Sequence, residues 1–159
     1  MPERIEVERL IRADASDVFA VLCDPQGHVA IDASGMLQDA DGDPVSAAGD
    51  QFVIHMDRES LNDLPDYGRY DVEVTIEEYE TDRLITWSIL GRVRPGIGHR
   101  YGYRLEPRDG GTLVTSIYDW STARQEMKDA GIFPVVSETN LRGTLGILDR
   151  TVRRGYVRP

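Results

Sequence analysis

Apolar and polar residues alternate along several stretches of the chain, and a period of two predicts β-strands. The predicted strands are residues 4–12, 34–38, 51–57, 70–77, 84–90, 99–106 and 112–120. Most of the segments between them are short and contain Gly, Pro or Asp, which are typical of turns. Residues 39–49 are expected to form a longer loop. Consecutive strands joined in this way predict an antiparallel meander.

Two short helices are expected after the first strand. Asp14 is placed to cap the first helix, with an acidic residue three positions later, close to the pattern of a capping box. This helix is expected to stop near Asp24, and Pro25 to begin a second helix that runs through Ile31. A single helical turn is also expected at residues 125–129.

A long amphipathic helix is predicted at the C-terminal end of the chain. Ser137 is a good N-cap residue, and Gly155 stands where a helix-ending glycine belongs. The apolar stripe between them has helical spacing and consists of Leu141, Leu145, Leu148 and Val152. The order of elements predicts an α+β fold and one domain over residues 1–159, with a curved antiparallel sheet of about seven strands wrapped around this helix.

Charge and composition exclude some classes of function. The 159 residues include 18 Lys and Arg against 28 Asp and Glu, so the net charge is −10 at pH 7. Nucleic-acid binding is not expected, because it requires clustered basic residues. The chain has no long apolar run, so neither a signal peptide nor membrane insertion is expected. Cys23 is the only cysteine and is expected to be a buried thiol, which fits a cytoplasmic location.

Several short stretches, in order along nearly the whole chain, resemble one known superfamily. They are Ile5-Glu6-Val7, Val18-Phe19-Ala20-Val21-Leu22 followed by Asp24-Pro25, Gly49-Asp50-Gln51-Phe52, Gly98-His99-Arg100-Tyr101-Gly102-Tyr103 and Tyr118-Asp119-Trp120-Ser121. Together they resemble the SRPBCC superfamily of START-like, helix-grip proteins, and most of all its bacterial polyketide cyclase/dehydrase-type members. Relatives often have an aromatic residue, usually Trp, where this chain has Ile31.

The resemblance implies a helix-grip fold with a deep apolar cavity between the sheet and the long helix. Such a cavity would bind a lipid, a sterol, a polyketide or another hydrophobic molecule. It does not imply one reaction, because a fold does not determine a function. The resemblance also implies no cofactor.

His99, Tyr101 and Tyr103 occupy alternate positions of one predicted strand and therefore share a face. They are either polar contacts in a ligand site or core aromatics whose polar ends are satisfied. In an enzyme, His99 would be the general base and one of the two tyrosines would polarise a carbonyl. Asp119 could orient the imidazole of His99, but the alternation leaves open which face of the last strand points inward.

The predicted ligand contacts lie on the apolar faces of the strands and on the stripe of the long helix. They are Phe52, Ile54, Met56, Tyr70, Val72, Val74, Trp87, His99, Tyr101, Tyr103, Tyr118, Leu141 and Leu145. His28 is expected near the mouth of the cavity and His55 at the surface, and the histidine spacing does not match a zinc motif. Residues 39–50 resemble a calcium loop in their acidic spacing but lack its glycine and glutamate, so no metal is expected.

Three hypotheses follow. The first is a non-catalytic binder of a small hydrophobic molecule, with a cavity of several hundred cubic ångströms, on the order of ordinary ligand pockets. The second is a polyketide cyclase, aromatase or dehydratase-like enzyme that uses His99 with Tyr101 or Tyr103. The third is a protein-partner module, such as a component of a toxin–antitoxin pair.

Overall fold

The computed structural model describes residues 2–63 and 65–159. The strands are β1 (Arg4–Ile11), β2 (Leu37–Asp41), β3 (Gln51–Asp57), β4 (Arg69–Glu80), β5 (Leu84–Leu90), β6 (Arg100–Arg108) and β7 (Gly111–Asp119). The helices are α1 (Ala15–Cys23), α2 (Pro25–Ile31), α3 (Gln125–Asp129) and α4 (Glu138–Arg153). None of the helices in the described ranges is long and apolar enough to cross a membrane.

The strands form an antiparallel sheet in the order β1-β7-β6-β5-β4-β3-β2. From β2 to β7 each strand pairs with the next in the chain, and β1 closes the order by pairing with β7. The α1 and α2 helices connect β1 to β2, and α4 packs against β1, β7, α1 and α2. The predicted α+β architecture, with about seven strands and one long C-terminal helix, is confirmed.

The second strand differs from its prediction, because it spans Leu37–Asp41 rather than residues 34–38. The carboxylate of Asp32 accepts hydrogen bonds from the backbone N–H groups of Ser34 and Leu37. These bonds hold residues 32–36 in a turn, so the strand begins later than the apolar pattern indicates. Residues 39–41 therefore belong to a strand rather than to the expected loop.

The structure confirms the predicted N-cap at Ser137, shows a further one at Asp24, and differs from the prediction at Asp14. Ser137 accepts a hydrogen bond from the Asn140 N–H at 3.1 Å, and Asp24 caps α2 by accepting from the Gln26 N–H at 3.0 Å. Asp14 occupies the N-cap position of α1, but its side chain makes no capping bond. That part of the prediction was wrong.

The core lies between the inner face of the sheet and the helices α1, α2 and α4. At the end of the core near β1 and β7, apolar side chains fill the interior; they include Val7, Ile11, Val18, Leu22, Leu105, Val114, Leu145 and Leu148. Cys23 is buried at the edge of this cluster, as expected, and burial raises the pKa of its thiol to about 11. The thiol is therefore protonated and unreactive at neutral pH.

The inward face of β7, which the sequence left open, carries Val114 and Tyr118. Asp119 lies on the opposite face, where it accepts a hydrogen bond from Arg4 of β1. It also accepts two hydrogen bonds from Ser121. Asp119 is therefore turned away from the core.

Candidate ligand-binding site

A cavity of about 160 Å³ lies between strands β3–β6, helix α2 and the first turns of α4. Its buried wall is almost wholly apolar or aromatic and includes Ile54, Val72, Val74, Trp87, Tyr103 and Leu141. These strand residues occupy alternate positions, so that each strand contributes the same face to one concave surface. An enclosed apolar space with few polar groups is the usual form of a small-molecule site.

The placement of α4 determines which end of the core stays open. Leu145 and Leu148, in the middle of the helix, are fully buried in the packed end of the core. Leu141, one turn earlier, lines the cavity. A side chain at Gly143 would place its Cβ 3.1 Å from that of Ala33, so the glycine allows α4 to approach the segment after α2 closely.

Polar residues that are only partly buried surround the opening of the cavity. They are Asp32, Ser34, Asn140 and Thr144. The carboxylate of Asp32 is already engaged by three hydrogen bonds, from the backbone and hydroxyl of Ser34 and the backbone of Leu37. The Thr144 hydroxyl accepts from the Ala33 N–H at 3.3 Å. The mouth is therefore polar, whereas the interior is apolar.

His28 lies inside this wall rather than at the mouth, where the sequence had placed it. Its side chain is 7% exposed and packs edge-on against Trp87 and Phe52, with ring centroids 4.8 and 5.2 Å away. The Nε2 atom lies 2.8 Å from the carbonyl oxygen of Leu22. Burial lowers the pKa of His28, so the ring is neutral at neutral pH.

The two cavity tyrosines also stay neutral. Burial raises the pKa of Tyr101 and of Tyr103 well above the ordinary value of a phenol. Tyr103 interacts with the Ser116 hydroxyl, and Tyr101 lies beside Tyr118 with ring centroids 4.8 Å apart. Their hydroxyl groups can donate or accept hydrogen bonds, but they do not supply a phenolate.

His99 is not among the residues that line the cavity. It immediately precedes β6 and is 1% exposed, in an aromatic cluster with Tyr101, Tyr118 and Phe133. Its Nδ1 atom lies 2.7 Å from the Tyr118 hydroxyl. Burial lowers the pKa of His99 to about 4. A general base needs contact with its substrate and a pKa near the working pH, and His99 has neither here.

Asp119 does not orient His99, because it faces the other side of the sheet. Burial raises its pKa, but the hydrogen bonds from Ser121 and Arg4 outweigh this effect, so the pKa of Asp119 is lowered. The partner of the imidazole is Tyr118 instead. The structure therefore does not assemble the predicted group of His99, Tyr101 or Tyr103, and Asp119 around one ligand position.

The structure divides the predicted contact residues into two groups. The cavity is lined by Ile54, Met56, Val72, Val74, Trp87, Tyr101, Tyr103 and Leu141. Outside its lining lie Phe52, Tyr70, His99, Tyr118 and Leu145. Phe52 packs behind His28, and Tyr70 lies at the start of β4 against Tyr67. None of residues 92–98, in the loop between β5 and β6, lines the cavity.

Sequence reasoning missed several lining residues that carried a usable signal. Ile89 shares a strand face with Trp87, two positions away. Thr144 lies three residues after Leu141 and four after Asn140, so all three side chains share one side of α4. The turn and early-strand residues Ser34, Met36 and Leu37 had no such signal, because the second strand was misplaced.

His55 lies on the outer side of the sheet, exposed as expected. Its Nδ1 and Nε2 atoms lie 2.6 and 2.7 Å from the carboxylates of Asp71 and Asp41. A depression of about 580 Å³ beside it is open and lined largely by polar residues. An apolar ligand would stay hydrated there, so the smaller enclosed cavity is the better candidate site. No group of metal-ligating side chains occurs within the described ranges.

Several solved structures are similar to this chain over nearly its whole length, although their sequence identity to it is low. A protein from Rhodobacter sphaeroides has a TM-score of 0.69 at 19% identity, over 96% of this chain and 93% of that chain. The Aha1 dimer from Colwellia psychrerythraea has a TM-score of 0.63 at 15% identity, over 97% and 98%. An AHSA1-like protein from Aeromonas hydrophila has a TM-score of 0.62 at 17% identity, over 98% of both chains.

The chain has the helix-grip fold. The fold that the resemblance implied is thereby confirmed. No family model matches the chain, and no curated protein does. In this helix-grip chain, the cavity occupies the space between the sheet and the first turns of the long helix.

Proposed function

We propose that this helix-grip protein binds a small hydrophobic molecule in the cavity beneath α4. The partly enclosed, largely apolar space of about 160 Å³ carries the proposal. Protein interiors are normally close-packed, and an empty apolar cavity forfeits the contacts that its lining atoms could make. A ligand that fills the space recovers those contacts and leaves water, and both changes favour binding.

The volume limits the size of the ligand. The cavity is smaller than the several hundred cubic ångströms expected from the sequence, and smaller than ordinary ligand pockets, which begin at about 300 Å³. An apolar cavity of about 150 Å³ is sufficient for a benzene ring. The ligand is therefore one ring, or a narrow chain whose remainder extends through the polar mouth. A sterol or a folded polyketide would require the cavity to expand.

The two other hypotheses have less support. A cyclase mechanism based on His99 lacks contact between that residue and the cavity, because His99 is enclosed by Tyr101, Tyr118 and Phe133. The cyclase and protein-partner hypotheses stay predictions from the resemblance. No observation on the described residues favours either over ligand binding.

A thermal shift measurement with toluene tests the proposal. At a free toluene concentration ten times its Kd, binding should stabilise the folded protein by about 1.4 kcal/mol. For a chain of this length, that free energy corresponds to a rise in Tm of roughly 3–6 °C. The substitution Val74→Phe places a ring in the cavity and should abolish the rise.

The matched control is Val157→Phe, because Val157 is 82% exposed and lies outside the cavity. This variant should keep the wild-type shift with toluene. Thr144→Phe, at the half-buried mouth, provides a second blocking variant in case Val74→Phe folds poorly. A Tm unaffected by toluene in the wild type, or an equal rise in the blocked variants, would contradict binding in this cavity.

A further inference from the structure

The hydrogen bond of His28 determines which of its ring nitrogens carries the proton. The carbonyl oxygen of Leu22 can only accept, so Nε2, 2.8 Å away, must be the N–H donor. In a neutral imidazole the other nitrogen is then an unprotonated acceptor. Burial of the ring lowers the pKa of His28 and keeps the imidazole neutral. Nδ1 therefore presents a lone pair, not a proton.

Within residues 2–63 and 65–159, the structure shows a hydrogen bond at Nε2 and none at Nδ1, and Nδ1 is not one of the fully buried polar atoms that lack a partner. His28 makes its side-chain hydrogen bond through Nε2 alone, and its ring faces are covered by the aromatic contacts with Trp87 and Phe52. The open space that His28 borders is the cavity. A ligand in the cavity that donates a hydrogen bond to this acceptor gains an interaction that a purely apolar ligand cannot make.

The charges around the cavity exclude an anionic ligand. Among the described residues no Lys or Arg lines it, and Asp32 is the one charged residue of that lining. The carboxylate of Asp32 is already engaged by three hydrogen bonds from Ser34 and Leu37. A carboxylate ligand would lose its hydration and gain no cation in return. A neutral ligand with a donor group loses much less hydration free energy when it enters the cavity.

We infer that the ligand is a neutral, single-ring or similarly small molecule with a hydroxyl or N–H group, which donates to Nδ1 of His28. The inference rests on the proposed function and specifies the chemistry of the ligand. The apolar body of the molecule packs against Trp87, Val74 and Leu141, and its donor points to His28. His28 is thus a specificity residue of the cavity.

Titration calorimetry with phenol and toluene tests the inference, because these probes have nearly the same shape and differ in one hydroxyl group. The substitution His28→Gln can keep a donor to the Leu22 carbonyl while it removes the ring acceptor. The measured quantity is the ratio of the toluene Kd to the phenol Kd in each protein. This ratio should fall roughly threefold to tenfold in His28→Gln, the effect of one neutral hydrogen bond.

The matched control is His55→Gln, since His55 is on the outer face of the sheet and hydrogen-bonded to Asp41 and Asp71. This variant should keep the wild-type ratio. Because both proteins are compared with the same two probes, the different hydration of phenol and toluene cancels. His28→Leu removes both ring nitrogens, so its ratio of the toluene Kd to the phenol Kd should fall at least as much as the ratio of His28→Gln.

The outcomes separate the inference from the proposed function. If toluene binds and the ratio is the same in wild type and His28→Gln, the cavity binds ligands but His28 does not select a donor, and the inference is overturned. If neither probe binds wild type, the proposed function fails and the inference fails with it. A Kd ratio that falls in His28→Gln but not in His55→Gln supports both the inference and the proposed function.

Discussion

The protein uses its three histidines in three different environments, and the environment sets the charge of each ring. His28 and His99 are buried, so desolvation lowers the pKa of each and keeps both rings neutral. His55 is exposed between two carboxylates, and its hydrogen bonds to Asp71 and Asp41 raise its pKa. Only His55 is therefore suited to be a cation at neutral pH.

Acid should destabilise the protein through His99. Its pKa is about 4 in the folded state and about 6.5 when unfolded, so below pH 6.5 the unfolded chain binds a proton that the folded chain does not. Stability is therefore lost as the pH falls. From about pH 6.5 to about pH 5, this loss is on the order of 2 kcal/mol. Urea unfolding of wild type and the double variant His99→Leu/Tyr118→Phe should show the difference.

The double variant removes both partners of the buried His99–Tyr118 hydrogen bond, and because the readout is the change between two pH values, the loss of the Tyr118 contacts with Tyr101 and Val135 cancels. His55→Gln serves as the control. The contribution of His55 is present below pH 6.5 and is lost only as the pH rises through its raised pKa, so this variant should keep the acid sensitivity of the wild type. Equal acid sensitivity in the wild type and the double variant would disprove the assignment to His99.

For single residues, the sequence predicted which side chains point inward better than it predicted what those side chains do. Trp87, Tyr101 and Tyr103 line the cavity because alternation along a strand determines their face. The alternation could not show that Tyr118, rather than Asp119, reaches His99, since both faces of β7 carry apolar residues. Nor could it reveal the acceptor on His28, which depends on a hydrogen bond across the turn between two helices.

At the scale of elements, the start of α4 determines the shape of the cavity. Ser137 caps the helix, and the first turns then place Asn140, Leu141 and Thr144 along the opening. The same helix is held at its other end by Asp149, which accepts hydrogen bonds from Arg9 of β1 and from Arg153. The cavity wall is thus part of a helix anchored at both ends.

Ser137→Ala should lower the free energy of unfolding by about 1 kcal/mol, because the Asn140 N–H loses its acceptor. Asp14→Ala is the matched substitution at the N-cap of α1. Asp14 makes no capping hydrogen bond, so only a few tenths of a kcal/mol from the helix dipole should be lost. Urea unfolding measures both losses, and equal values would contradict this difference between the caps.

The elements themselves were largely predictable, apart from the second strand. Strict alternation located β3, β4 and β5, and the period of the C-terminal stripe located α4. The β2 strand was misplaced because its start depends on side-chain hydrogen bonds from Asp32 to backbone N–H groups, not on apolar periodicity. Asp39 and Asp41 are polar residues of an edge strand, where solvent and the side chains of Gln26 and His55 pair with them.

At the scale of the whole molecule, the sequence predicted a cavity but not its size. The volume depends on how closely α4 approaches the rest of the fold, and at Gly143 the distance is set by a contact with Ala33, in the segment after α2. Packing fills the end of the core around Leu145 and Leu148 and leaves the end around Leu141 open. Only the assembled structure shows this difference between the two ends.

The most direct test of the account is a methyl-detected NMR titration of the protein with toluene. We predict that the largest chemical-shift changes occur at Ile54, Val74 and Leu141, which line the cavity. The methyl groups of Val7 and Val114, in the packed end of the core, should change little. Binding would then be located directly at the cavity. If no methyl group shifts, or if the changes avoid the three lining residues, the proposed site is contradicted.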